Sequence, residues 1–415
     1  MRAAATALDE ARPIAYSPSR SPMQRDRIAG SGLGVATAVV AVAGSIAALA
    51  LRYWMRDTWN SDLQGYLVPW YDYIRRHGGF AALGEPFSEY TPPYLYLLAA
   101  VTYVPWLATP VTAIKSISVA FDFFAAAVMW KLVRRRYPSG PAPLLAYLAV
   151  LFAPTIVLNS SHWGQCDITY SAWLLACVYA ACAERPAAAV LCFAVAFAFK
   201  LQSVFLAPFL LVLLLRGRIP WRCLALVPVV YVLLILPAAL LGRSWAGLLT
   251  IYAHQTQMER ELSLNAPNLY VFFGRGSFGT VYPTGLAVAA AAVLAYVAAG
   301  ARSRRPFDPS RLLLAATCSV ALVPFVLPKM HDRYFFPADL LSIGLAFHVP
   351  RLWFVPLFFQ LSSSLAYAFF LGFRAIDPAL AVRAAALINT GQVVTLLSCW
   401  LLRTRKKTDP NSITP

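Results

Sequence analysis

Long apolar runs recur along the whole chain between short polar segments, the rhythm of a helical membrane protein. They lie near residues 31–54, 94–108, 111–133, 141–158, 168–183, 186–215, 220–241, 284–300, 312–327, 337–350, 352–372 and 380–402. Two of them depart from a simple span. Run 94–108 covers about 22 Å at about 1.5 Å per residue, against a hydrocarbon core of roughly 30 Å. Pro105 and Pro110 also interrupt it, and counting it as a span would place Arg134, Arg135 and Arg136 outside. It therefore reads as an interfacial or re-entrant helix on the outer face. Run 186–215 is too long for one untilted span and carries Lys200 at its centre, with Arg185, Arg216 and Arg218 at its flanks. A hairpin with Lys200 at the outer tip keeps both flanks inside.

This reading gives an all-α, polytopic membrane protein of about twelve spans with both termini cytoplasmic. Most Lys and Arg then fall on inner segments, as the positive-inside rule requires. Residues 1–30 read as a disordered cytoplasmic tail, 31–402 as the membrane domain and 403–415 as a second cytoplasmic tail. The polar stretch from Trp54 to Pro93, within an outer loop of 54–110, is rich in both aromatics and acids. Trp70, Tyr73, Ile74 and His77 recur there at helical spacing, which predicts a helix lying along the interface.

Composition supports the class: 60% of the 415 residues are hydrophobic and 13% are charged, whereas soluble domains hold about 25% charged residues. The net charge of +17 is explained by topology signals, and no basic stripe interleaved with aromatics suggests nucleic acid. The seven Cys contain no C-x-x-C pair, so neither a disulfide framework nor a zinc site is indicated.

Polar residues gather on the predicted outer face: Asn60-Ser61-Asp62, Ser88-Glu89-Tyr90-Thr91-Pro92-Pro93, Ser161-His162-Trp163-Gly164-Gln165-Cys166-Asp167, Phe199-Lys200-Leu201-Gln202 and Pro328-Lys329-Met330-His331-Asp332-Arg333-Tyr334. A site at one membrane face suits a substrate that lies in the lipid and reacts at the surface. A lipid-phosphate sugar donor has a leaving group already stable as an anion. One carboxylate then suffices as general base for the acceptor hydroxyl, with cations to meet the departing phosphate. Asp62, Glu89 and Asp167 supply the carboxylates; Lys200, Lys329, His331 and Arg333 supply the anion partners.

In these stretches, and in Asn265-Ala-Pro-Asn-Leu-Tyr270, the chain resembles the C-fold (GT-C) glycosyltransferases that use polyprenyl-phosphate-linked sugars. It is most similar to the bacterial group related to the glycosylphosphatidylinositol mannosyltransferases, and more distantly to dolichyl-phosphate-glucose glucosyltransferases. The stretches cover about residues 55–340. The resemblance implies an inverting hexosyltransferase of the bacterial inner membrane, working on the outer face. Mannose or glucose would pass from a polyprenyl-phosphate donor to a glycan, lipid or protein acceptor.

It further implies that Asp62 is the catalytic base and that His331-Asp332-Arg333 meets the donor phosphate with Lys200 and Lys329. His162 and Gln165 would line the donor pocket; Glu89, Tyr90, Asp167, Asn265 and Asn268 are expected to contact the acceptor or line the pocket. Relatives often carry Gln-Tyr where this chain has Gln165-Cys166, which weakens a detailed role for Asp167. No metal or other cofactor is expected, although Asp62, Asp167 and His331 are residue types that hold divalent ions. Segment 243–283 is expected to form an amphipathic lid. The rival reading is a non-catalytic flippase or transporter for lipid-linked sugars. It requires functional ionisable groups near the bilayer midplane, where Asp122 is the one good candidate.

Overall fold

The computed structural model describes residues 22–257, 260–273, 278–372 and 376–401. The two tails expected at 1–30 and 403–415 fall largely outside these residues. Helix α1, Pro22–Trp54, begins inside the segment read as tail. Residues Met1–Gly44 form a unit of their own, of which the first part of α1 is described; Ser45–Pro415 form the second unit, treated below.

Every apolar run corresponds to helix. A π-helical turn, Leu63–Leu67, leads into α2, Val68–Arg76. Then follow α3 (Pro92–Val101), α4 (Pro110–Arg136), α5 (Ala142–Phe152), α6 (Pro154–Val157), α7 (Asp167–Cys182), α8 (Pro186–Phe199), α9 (Ala207–Leu215), α10 (Leu226–Leu240) and α11 (Trp245–Gln257). Strand β1 (Ser263–Leu264), α12 (Phe278–Arg302), α13 (Pro309–Val326), β2 (Met330–His331), α14 (Phe336–His348), α15 (Phe354–Tyr367) and α16 (Pro378–Leu401) complete the order. Proline sets many of the starts: it opens α3, α4, α6, α8, α13 and α16, where its missing N–H costs nothing. Thr109 and Asp308 then cap α4 and α13 by accepting from Thr112 N at 3.1 Å and Arg311 N at 2.8 Å.

Helix length does not confirm the expected count of about twelve spans. Among the described residues, six helices are long and apolar enough to cross a membrane, or up to seven with the α5–α6 pair, which bends by 44°. Polar or proline breaks explain the difference. Pro154 lacks the N–H that would continue α5, Lys200 is extended at φ −157°, and Asp332 opens a 3₁₀ turn before α14. At Lys200 the chain turns back as a hairpin: Arg218, after α9, reaches Glu184, before α8, at 3.1 Å.

The loop after α1, expected on the outer face, is ordered around a small core of its own. Leu63, Trp70, Ile74, Leu95 and Leu98 pack onto Ile114 of α4 and onto Cys166. The predicted interfacial helix is present as α2, with Trp70, Tyr71 and Ile74 buried and His77 stacked on Tyr73 at 3.9 Å. Helix α3 has ten residues, too short to span. The main core joins the inner faces of α4, α5, α7, α8, α9, α13, α14 and α15. Outward positions such as Leu233, Leu294 and Val394 stay exposed, as lipid-facing positions do.

Candidate active site

Placement of the site begins one layer behind it. Lys115 of α4 donates to the carbonyls of Met55 at 3.0 Å and Thr58 at 2.8 Å, fixing the chain just beyond α1. The Thr58 hydroxyl donates to the His162 carbonyl at 2.8 Å. Asn60 donates to the Trp163 carbonyl at 2.6 Å and accepts from Leu63 N at 3.0 Å. Asn60 therefore performs the capping that Asp could have performed, and the Asp62 side chain caps nothing. The latter is free for another task.

That carboxylate is held through one oxygen. Oδ2 of Asp62 accepts from the Trp163 indole at 2.9 Å and from the Gln165 amide at 2.5 Å. No hydrogen bond to Oδ1 comes from the described residues, and the side chain keeps 18% exposure. Opposite stands Arg333, whose Nη1 lies 3.8 Å from Asp62 Oδ2 and 3.6 Å from Asp332 Oδ1, while its Nε lies 3.7 Å from Asp167 Oδ2. Its guanidinium sits 5.6 Å over the Trp163 ring. Asp167 is fully buried and is bound by Lys200 Nζ at 2.5 Å and Asn159 Nδ2 at 2.9 Å. Tyr90 and Tyr170 flank Lys200, with ring centres 5.8 Å and 5.7 Å from its ammonium.

The electrostatics follow from burial and proximity. Burial opposes the charge of Arg333, but Asp167 and Asp332 outweigh it and hold the guanidinium protonated. Lys200 likewise loses by burial and gains more from Asp167. His331 is driven down to about 3 by burial, Arg333 and Lys200, so its ring is neutral. Burial pushes Asp332 up to about 7 despite Arg333, and its Oδ2 has no partner. The cluster thus presents two fixed cations, a hydrogen-bonding imidazole and one partly exposed, oriented carboxylate.

The structure brings together Asp62, Gln165, Asp167, Lys200 and Arg333, with Tyr90 and His331 beside them. Asp167, expected to contact the acceptor or line the pocket, stands at the centre. His162 is half-buried next to Trp163, with its Nδ1 unpartnered. Two expectations are not met in placement. Lys329 adopts a left-handed backbone (φ 65°) and turns its ammonium to the Thr256 carbonyl at 2.5 Å, away from the cluster. Asn268 is buried and spent on backbone: it accepts from Tyr270 N at 3.0 Å and donates to the carbonyls of Pro324 at 3.2 Å and Leu327 at 3.1 Å.

Asn265 bridges to His331 beside the parallel pair β1–β2, in which Leu264 faces His331. The lid expected at 243–283 is thus stitched to the Arg333 loop by backbone and by Asn268. Glu89 is exposed, with its carbonyl bound by Gln255 at 2.6 Å. No role for Asn159 or Trp163 follows from the sequence, yet Asn159 is fully buried against Asp167. Asp122, the midplane candidate, is locked by Arg52 Nε at 2.9 Å and the Ser160 hydroxyl at 2.7 Å. Among the described residues, no three His, Cys, Asp or Glu are grouped to hold a metal.

No protein-family model matches the sequence, and no curated protein matches it. Among solved structures, the chain is similar to the apo crystal structure of ArnT from Cupriavidus metallidurans, at a TM-score of 0.53 and 17% identity over 88% of this chain and 77% of that one. The chain therefore shares the fold of that structure, and several of its described helices are long and apolar enough to cross a membrane.

Proposed function

We propose that the protein is an inverting membrane glycosyltransferase that takes a sugar, mannose or glucose, from a polyprenyl-phosphate donor to an acceptor hydroxyl at the outer face of a bacterial inner membrane. The observation that carries this reading is the tethering of Asp62. Its Oδ2 is fixed by Trp163 and Gln165 and faced by Arg333, leaving Oδ1 free to receive a proton. In the step, Asp62 takes the acceptor O–H proton and the acceptor oxygen attacks the anomeric carbon. The bond from that carbon to the phosphate oxygen breaks, and its electron pair leaves on the phosphate. A single displacement inverts the centre. Arg333 and Lys200 are placed to stabilise the leaving anion, because fixed cations in a low-dielectric site need no reorganisation when charge develops. A neutral His331 adds hydrogen bonding without a further charge.

No metal is needed when the leaving group is already an anion, so transfer is expected to persist in EDTA. The decisive experiment compares wild type and Asp62→Asn with radiolabelled polyprenyl-phosphate mannose and glucose and a host lipid extract. Loss of the base is expected to lower transfer at least about a hundredfold, with expression and fold unchanged. Near-wild-type transfer by Asp62→Asn would remove the assignment of the base. Labelled donor crossing the bilayer, with no sugar transferred by the wild type, would replace the enzyme with a flippase.

A further inference from the structure

A cavity of about 440 Å³ lies apart from the Asp62–Asp167 cluster, between the end of the first outer loop and the α10–α11 turn. Its walls approach closely where Gly84 rests on the Leu241 carbonyl, which leaves no room for a Cβ. Arg243 lines it and is 7% exposed. One guanidinium nitrogen, Nη2, donates to the Ser88 carbonyl at 3.3 Å, while the buried Nη1 has no partner. Among the described residues no carboxylate is paired with this cation, and burial lowers its affinity for the proton. A buried guanidinium with an open donor is costly unless a ligand completes it.

The remaining lining names the ligand class. Glu85 and Glu89 line the cavity with exposed side chains, so they accept hydrogen bonds from hydroxyls and oppose a second negative charge. Leu240, Leu241 and Trp245, close to Arg243 in sequence, carry exposed apolar side chains, and Leu241 packs against Gly84 of the cavity wall. A buried cation, hydroxyl acceptors and exposed apolar neighbours fit an amphiphile. Guanidinium geometry favours an oxoanion with two oxygens in a plane.

We infer that this cavity binds the headgroup of an anionic phosphodiester lipid carrying free hydroxyls, with its phosphate on Arg243 and its hydroxyls on Glu85 and Glu89. Segment Ser88–Tyr90 is the wall shared with the catalytic cluster: Glu89 lines the cavity and Tyr90 flanks Lys200. Resting on the transferase reading, the bound lipid stands on the acceptor side of the reaction. The binding claim itself does not need that reading.

The test is calorimetric titration of the purified full chain in detergent with dihexanoylphosphatidylglycerol and, separately, inorganic phosphate. Arg243→Gln is expected to weaken lipid binding by about tenfold or more, the worth of a charge-assisted hydrogen bond. Gly247→Phe provides a second route. Gly247 lines the cavity and a Cβ there meets only Ser244 at 3.9 Å, so a large side chain would fill the space with Arg243 intact. Both variants should lose lipid binding, whereas Arg333→Gln should keep it. Wild-type affinity in Gly247→Phe, or a loss confined to Arg333→Gln, would overturn the site. Inorganic phosphate binding as tightly as the lipid, with the same dependence on Arg243, would overturn the lipid assignment in favour of a free-phosphate site. Failure of transfer in the Asp62 experiment would leave these titrations unaffected, which separates the two claims.

Discussion

Arg333 touches three carboxylates at once, and that position defines what its removal should do. Asp62, Asp167 and Asp332 all lie within 3.8 Å of it, so Arg333→Ala removes the proposed phosphate partner and leaves three acids facing one another. Donor affinity should fall more than acceptor affinity, with kcat/KM down by about a hundredfold; an effect confined to acceptor KM would count against the phosphate role. Asp332 gives a pH signature. Its carboxyl sits at about 7 in the folded chain, against about 3.9 for an unfolded Asp. A raised acid contributes its full stability below the unfolded value and loses it as pH rises through the folded value. Wild-type Tm in detergent should therefore decline between about pH 4 and about pH 7, and Asp332→Asn should remove that part of the decline; equal slopes would refute it. Polar residue types between apolar runs make Asp62, Gln165 and Arg333 legible in the sequence, and a charge inside a run makes Lys200 so. Direction is not legible. Lys329 lies four residues from Arg333 in the chain, yet its left-handed backbone sends it the other way. Asn159 carries no charge, so nothing in the sequence marks it as the support of Asp167.

Helices and loops were readable wherever periodicity or proline spoke. Interfacial α2, short α3 and the reversal at Lys200 follow from amphipathic spacing, run length and a charge in mid-run. What the pattern did not carry was how far each helix extends, since the breaks at Pro154, Lys200 and Asp332 shorten runs that hydropathy alone joins. Nor did it reveal the fastening of segment 260–273 to the Arg333 loop, because backbone pairing such as β1–β2 is independent of side-chain type. Asn268 anchors that fastening through three backbone groups. Asn268→Ala would leave buried carbonyls of Pro324 and Leu327 short of a donor, costing about 1–3 kcal/mol. A lower Tm together with a reduced kcat would show that the loop positions Arg333; a lower Tm with unchanged kinetics would limit Asn268 to stability.

At the scale of the molecule, the arrangement has meaning only if one face of the bundle carries all the chemistry. Asp62, Lys200, Arg333 and the Arg243 cavity occupy the connections after α1, α8, α13 and α10, whereas Arg134, Arg135 and Arg136 end α4 at the opposite end of a 27-residue helix that begins close to Thr58. At about 1.5 Å per residue α4 is about 40 Å long, enough to separate the two faces of a bilayer. The positive-inside rule then predicts the basic end inside and the site end outside. The native cysteines favour a direct check, since Cys166, Cys177, Cys182 and Cys318 are buried and only Cys192, Cys223 and Cys399 are partly accessible. With those three replaced by Ala, Glu85→Cys should react with a membrane-impermeant maleimide on intact cells. Ser139→Cys, in the exposed turn after α4, should react only after the membrane is opened. Reversal of this pattern would put the catalytic cluster in the cytoplasm, where a donor presented on the outer leaflet could not reach Asp62, and the outer-face reaction would have to be abandoned even with the fold and the cluster unchanged.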